Sequence, residues 1–98
     1  MIKITEKQFE NKVKKYLKEL PHCWFTKIWG GGFQKAGIPD ILACINGKFV
    51  AIELKSDVGK PSELQKRNVR LINEANGHGV ILYPKDFEEF KNVISKLY

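Results

Sequence analysis

Residues 40–55 read DILACINGKFVAIELK. Two apolar runs, 40–45 and 48–55, flank Asn46-Gly47. Both of those residues tolerate the positive φ of a two-residue type I′ turn, so the stretch predicts a β-hairpin. With Asn46 and Gly47 as the loop, Ile45 pairs with Lys48. Stepping outward residue by residue then sets Asp40 opposite Glu53. Directly opposed residues share one sheet face, with Cβ atoms ~4.5–5.5 Å apart. Lys55, two residues beyond Glu53, lies on that face too. In the same register Val50, Ile52 and Leu54 line one face, while Phe49 and Ala51 precede Glu53 on the other. Both faces are largely apolar, which puts Glu53 at the rim of a covered sheet.

Two carboxylates facing each other normally destabilise a strand pair. The arrangement makes chemical sense if a divalent cation lies between them. Mg²⁺ takes oxygen ligands, keeps several waters and commonly uses one or two protein carboxylates. A lysine beside such a site can position or deprotonate a water, or stabilise charge on a phosphate. Asp40, Glu53 and Lys55 therefore suit metal-assisted phosphodiester hydrolysis. The plainer alternative makes Asp40 a strand start and Glu53-x-Lys55 a solvated face; the apolar flanks speak against it.

Outward from the hairpin, the apolar residues Phe9, Val13, Tyr16, Leu17 and Leu20 recur on one face of a predicted helix over 5–20. Thr5 caps its start and Pro21 stops it. Cys23 to Trp29 reads as a strand, and Gly30, Gly31 and Gly32 open a loop. Ser62 begins a second helix, with Ser62 and Gln65 fitting a capping box and Leu64, Val69, Leu71, Ile72 and Ala75 forming a broad apolar stripe. Val80 to Tyr83 is a short strand. A last helix over 84–97 turns Phe87, Phe90, Val93, Ile94 and Leu97 inward. The order is αβββαβα, an α/β fold, with no repeat or linker.

The 98 residues fit one domain, 1–98, with one modest core. No apolar run approaches the ~20 residues of a membrane span. The N-terminal stretch lacks the apolar segment of a secretory signal, so the chain is expected in the cytoplasm. Cys23 and Cys44 have no metal-ligand spacing and are expected to be buried free thiols. His22 and His78 stand alone, which disfavours zinc. The net charge of +6 suits a polyanion partner. Lys27, Lys35, Lys60, Lys66 and Arg67 flank the hairpin site in sequence and are candidate phosphate contacts. Trp24, Phe25, Trp29 and Phe33 are expected to pack in the core or at a dimer contact rather than stack on bases.

Gly37-Ile38-Pro39-Asp40, twelve intervening residues, then Glu53-Leu54-Lys55 resembles the signature of PD-(D/E)XK nucleases. The following Gly59-Lys60-Pro61-Ser62-Glu63-Leu64-Gln65 resembles the VRR-NUC branch, found in phage proteins and DNA repair nucleases. The resemblance implies a restriction-endonuclease-like αβββαβ core, a mixed central sheet with helices on both sides. It implies a deoxyribonuclease using Mg²⁺ or Mn²⁺, acting as a homodimer on branched DNA in the manner of Holliday junction resolvases. A phage-encoded member would work in the host cytoplasm. A nicking or end-processing nuclease and a non-catalytic DNA-binding module are the alternatives.

On this resemblance Asp40 and Glu53 hold the metal, the Leu54 carbonyl is a further candidate ligand, and Lys55 positions or activates water. A first-helix glutamate also serves the metal. Similarity to junction-resolving relatives favours Glu10, with Glu6 as the alternative. Gln65 is expected at the active site beside Lys55, or else in the capping box, the two contacts being expected to exclude each other.

Overall fold

The computed structural model describes residues 4–29 and 36–98; the Gly30–Gly32 loop, Phe33 and Lys35 lie outside the described residues. The hairpin forms in the expected register. Strand β2 (Ile41–Ile45) runs antiparallel to β3 (Lys48–Leu54), with Ile45 opposite Lys48 and Ile41 opposite Ile52. Asn46 and Gly47 carry φ of 49° and 83°, as a type I′ turn requires. Strand β1 (Cys23–Lys27) adds antiparallel to β2, and β4 (His78–Leu82) adds parallel to β3. The result is a mixed four-stranded sheet in the order β1-β2-β3-β4.

Helix α1 (Glu6–Glu19) starts at a capping box in which the Thr5 hydroxyl accepts from the Gln8 amide and the Gln8 side chain accepts from the Thr5 amide. Its spacing puts Phe9, Glu10, Val13 and Leu17 on the buried face. Phe9, Val13 and Leu17 pack on Ile41, Ala43, Ile45, Val50, Ile52 and Leu54. Helix α3 (Phe87–Ser95) adds Phe87, Phe90 and Ile94 to the same core, and the rings of Phe9 and Phe87 meet edge to face at 5.6 Å. Fully burying one such large apolar side chain is worth about 1.5–3 kcal/mol, so this side of the sheet carries much of the stability.

The opposite face is covered by α2 (Glu63–Glu74), the crossover between the parallel strands β3 and β4. The chain is thus an α/β fold with a restriction-endonuclease-like core, helices flanking both faces of a mixed sheet. No helix among the described residues is long and apolar enough to cross a membrane.

Several sequence expectations are revised. Helix α2 buries no residue completely: of its apolar stripe Val69 and Ile72 are half-buried, while Leu64, Leu71 and Ala75 are exposed. The reason is its position over β3 and β4, which leaves the same face of β1 and β2 open. Trp24, on that open face, is 66% exposed, and Cys44 is exposed too, so neither packs in the core. Trp29 follows the end of β1 and is 69% exposed. The last helix begins with a 3₁₀ turn, Pro84–Asp86, and leaves Val93 exposed.

Candidate active site

Asp40 and Glu53 come together at the end of the β2–β3 hairpin. The ladder between these strands stops at Ile41 and Ile52, so Asp40 lies one residue beyond it. Its carbonyl accepts from the Ile28 amide at 2.7 Å, and its side-chain Oδ2 accepts from the Leu54 amide at 2.7 Å. Those two bonds fix the Asp40 carboxylate against the end of β3. The loop before it is fixed as well. Gly37 has φ 85°, a Cβ there would come within 2.8 Å of the Leu64 backbone, and its carbonyl accepts from the Asn68 side chain at 2.8 Å.

Glu53 faces α2 and its side chain is only 3% exposed. Oε2 accepts from the Gln65 Nε2 at 2.9 Å and lies 3.3 Å from the Lys55 ammonium. Oε1 is buried with no hydrogen-bond partner among the described residues. Burial pushes the Glu53 carboxyl up to about 7, the Asp40 charge adds to the rise, and Lys55 partly offsets it. A buried carboxylate with one oxygen unsatisfied is costly unless something is bound to it.

Gln65 makes both contacts that were expected to compete. Its Oε1 accepts from the Ser62 amide at 2.8 Å, completing the capping box, while its Nε2 donates to Glu53. A primary amide carries an acceptor and two donors on different atoms, so one side chain can close the helix end and reach the site together.

Glu10 is the buried first-helix glutamate, whereas Glu6 is exposed in the first turn. Three lysines surround Glu10: Lys27 at 2.9 Å from Oε1, and Lys14 at 3.0 Å and Lys7 at 3.3 Å from Oε2. Burial pushes the Glu10 carboxyl up, but the hydrogen bonds and charge of these lysines outweigh it and hold it at about 2. Lys27 also lies 3.8 Å from Asp40 Oδ1. It was expected among surface phosphate contacts, yet its side chain turns inward because two carboxylates flank it. Among the described residues no three His, Cys, Asp or Glu side chains converge as a metal-binding group. Asp40 and Glu53 form a pair, and Glu10 stands behind Lys27.

The donor set nevertheless fits a hard divalent cation. Glu53 Oε1 has no hydrogen-bond partner among the described residues, and Asp40 Oδ1 faces an ammonium with its partner oxygen already engaged. Of the other cations, Lys60, Lys66 and Arg67 are exposed on the loop before α2 and on its first turns, flanking Gln65; Lys66 pairs loosely with Glu63. Sequence reasoning missed two contributors. The Leu54 amide, rather than its carbonyl, is seen engaged at Asp40, and Asn68 tethers the Gly37 loop. A strand-end amide beside Asp40 follows from the hairpin register; the Asn68 contact spans 31 positions and has no local signal.

A family model described as archaeal Holliday junction resolvase (Hjc) matches residues 3–81. No curated protein and no solved structure matches the chain significantly.

Proposed function

The chain belongs to the archaeal Holliday junction resolvase family, and from that premise we propose that it is a divalent-metal-dependent DNA endonuclease that cuts branched DNA. The observation that carries the reading is the buried Glu53 Oε1, without a hydrogen-bond partner among the described residues, beside Asp40 and with Lys55 on the same sheet face. Such a carboxylate gains its missing partner from a cation.

Asp40 and Glu53 would hold Mg²⁺ or Mn²⁺, with the Leu54 carbonyl as a further ligand. The bound ion supplies charge neutralisation at the scissile phosphate and acidification of water. The chain's own residues do the rest. Gln65 and Lys55 both take Glu53 Oε2, which leaves Oε1 for the metal. The Leu54 amide likewise occupies Asp40 Oδ2 and leaves Oδ1. Lys55, 13% exposed and held against Glu53, places an ammonium where it can orient the attacking water and meet charge developing on the phosphate. Glu10 adds negative charge behind the pair. Lys60, Lys66 and Arg67 bind the DNA backbone, a sequence-independent contribution.

A four-way junction presents two symmetric strands for cutting, which a two-fold homodimer with two sites matches. Trp24, Cys44 and Phe49 supply exposed apolar surface for that assembly. The Gly59–Gln65 stretch supports the finer placement in the VRR-NUC branch.

The test is a cleavage assay with Mg²⁺ or Mn²⁺ on matched four-way, flap, single-stranded and linear duplex DNA. Metal-dependent cutting with preference for the four-way substrate is expected. Equal cutting of all four would replace junction resolution with nicking, and no cutting of any with either metal would overturn the enzyme reading.

A further inference from the structure

Lys27 closes β1 opposite Ile41, and its side chain is 18% exposed. Its ammonium lies 2.9 Å from Glu10 Oε1 and 3.8 Å from Asp40 Oδ1. Because the Leu54 amide holds Oδ2, Oδ1 is the Asp40 oxygen left for a cation, and among the described residues Lys27 is the cation that faces it. We propose that Lys27 is a built-in competitor for the metal position: it stands in for the divalent ion beside Asp40 in the metal-free protein and gives way when the ion binds. The proposal rests on the metal reading given above.

Two features make the exchange feasible. An ammonium and a divalent cation about 4 Å apart in a partly buried site repel strongly, so both cannot stay beside Asp40. Lys27 can leave without stranding a buried charge, because Lys14 and Lys7 remain on Glu10 Oε2. Its departure frees Glu10 Oε1 to face the metal, and its four-carbon stem lets the ammonium move toward a phosphate. Glu10 thus joins the site only after Lys27 has moved, which explains a first-helix glutamate that is buried, ionised and yet separated from the carboxylate pair.

The experiment is calorimetric titration of Ca²⁺ into the DNA-free protein at fixed ionic strength, for the wild type, Lys27→Met, Lys14→Met and Asp40→Asn. Lys27→Met is expected to tighten binding about tenfold, a typical coupling between two linked occupants. Lys14→Met, which removes an equally close Glu10 partner, is expected to change it by less than about twofold. Asp40→Asn is expected to abolish it. If Asp40→Asn abolishes binding while Lys27→Met leaves it unchanged or weaker, the competitor role is wrong and the metal reading stands. Equal tightening by Lys14→Met also overturns the proposal, since general charge would then suffice. If neither wild type nor Lys27→Met binds Ca²⁺, both the proposal and the metal reading fall. Should Lys27→Met fail to fold, Lys27→Gln removes the charge and keeps a donor for Glu10, with the same expected tightening.

Discussion

Glu10 and Glu53 are both buried, on opposite sides of one sheet, and their carboxyl groups are driven in opposite directions. Three lysines hold Glu10 at about 2, whereas burial and the neighbouring Asp40 raise Glu53 to about 7. Burial acts upward on both, so the partners decide the outcome. Both Glu10 oxygens are paired, and among the described residues Glu53 has two partners on one oxygen and no hydrogen-bond partner on the other. The difference separates a charge that the metal-free fold neutralises with its own lysines from one that it leaves partly unpaired.

The largest effect should come from deleting each charge in turn, measured by urea unfolding at pH 7 in chelator. Glu10→Gln leaves three lysines crowded around a neutral buried amide and should cost about 3 kcal/mol. Glu53→Gln removes a poorly solvated charge next to Asp40 and should be neutral or stabilising. If both variants lose stability equally, the contrast drawn between the two carboxylates is wrong.

The pH dependence sharpens the same contrast. The folded Glu53 carboxyl binds its proton more tightly than in the unfolded chain. Its contribution is therefore fully present below about pH 4.5 and lost as pH rises through about 7. For Glu10 the sign reverses: its contribution is present above about pH 4.5 and lost as pH falls toward 2. Metal-free protein should lose on the order of 2 kcal/mol between pH 4.5 and 7 through Glu53, and Glu53→Gln should flatten that limb only. Saturating Mg²⁺ should flatten it in the wild type as well.

Gln65 joins the cap of α2 to Glu53, and its two contacts can be separated. Ser62→Ala breaks the cap and should cost about 1 kcal/mol while sparing cleavage. Gln65→Ala breaks both and should cost about 1–2 kcal/mol and also slow cleavage. Equal cleavage rates in the two variants would reduce Gln65 to a capping residue. The smallest effects are expected at Lys60 and Arg67, where alanine should weaken DNA binding modestly and lower the salt slope by about one each. Turnover on saturating substrate should be unchanged.

The pair of carboxylates was legible because a type I′ turn leaves no freedom in register: once Asn46 and Gly47 form the loop, Asp40 and Glu53 must approach. The capping boxes were partly legible for the same local reason: Ser62-Gln65 shows the full pattern, and the Thr5 cap is closed by Gln8 as well. What the sequence hid depends on contacts between distant elements. Lys27 reads as one of five candidate phosphate contacts until β1 is laid beside Asp40 and α1 brings Glu10 over it. The apolar stripe of α2 misled because helical periodicity shows which face is apolar but not how much sheet lies beneath it. Trp24 misled in the same way, since a strand next to a half-covered face keeps its outward side chain in solvent.

The central claim is that Asp40, Glu53 and Lys55 perform metal-dependent cleavage, and single-turnover cutting of a labelled four-way junction tests it most directly. Wild type, Lys55→Ala and Asp40→Asn should be compared at saturating protein and fixed ionic strength, with folding checked by circular dichroism and DNA binding by gel shift. Lys55→Ala and Asp40→Asn are expected to bind the junction nearly as well as wild type and to leave it uncut in Mg²⁺ or Mn²⁺. Well-folded variants that cut at the wild-type rate would contradict the account.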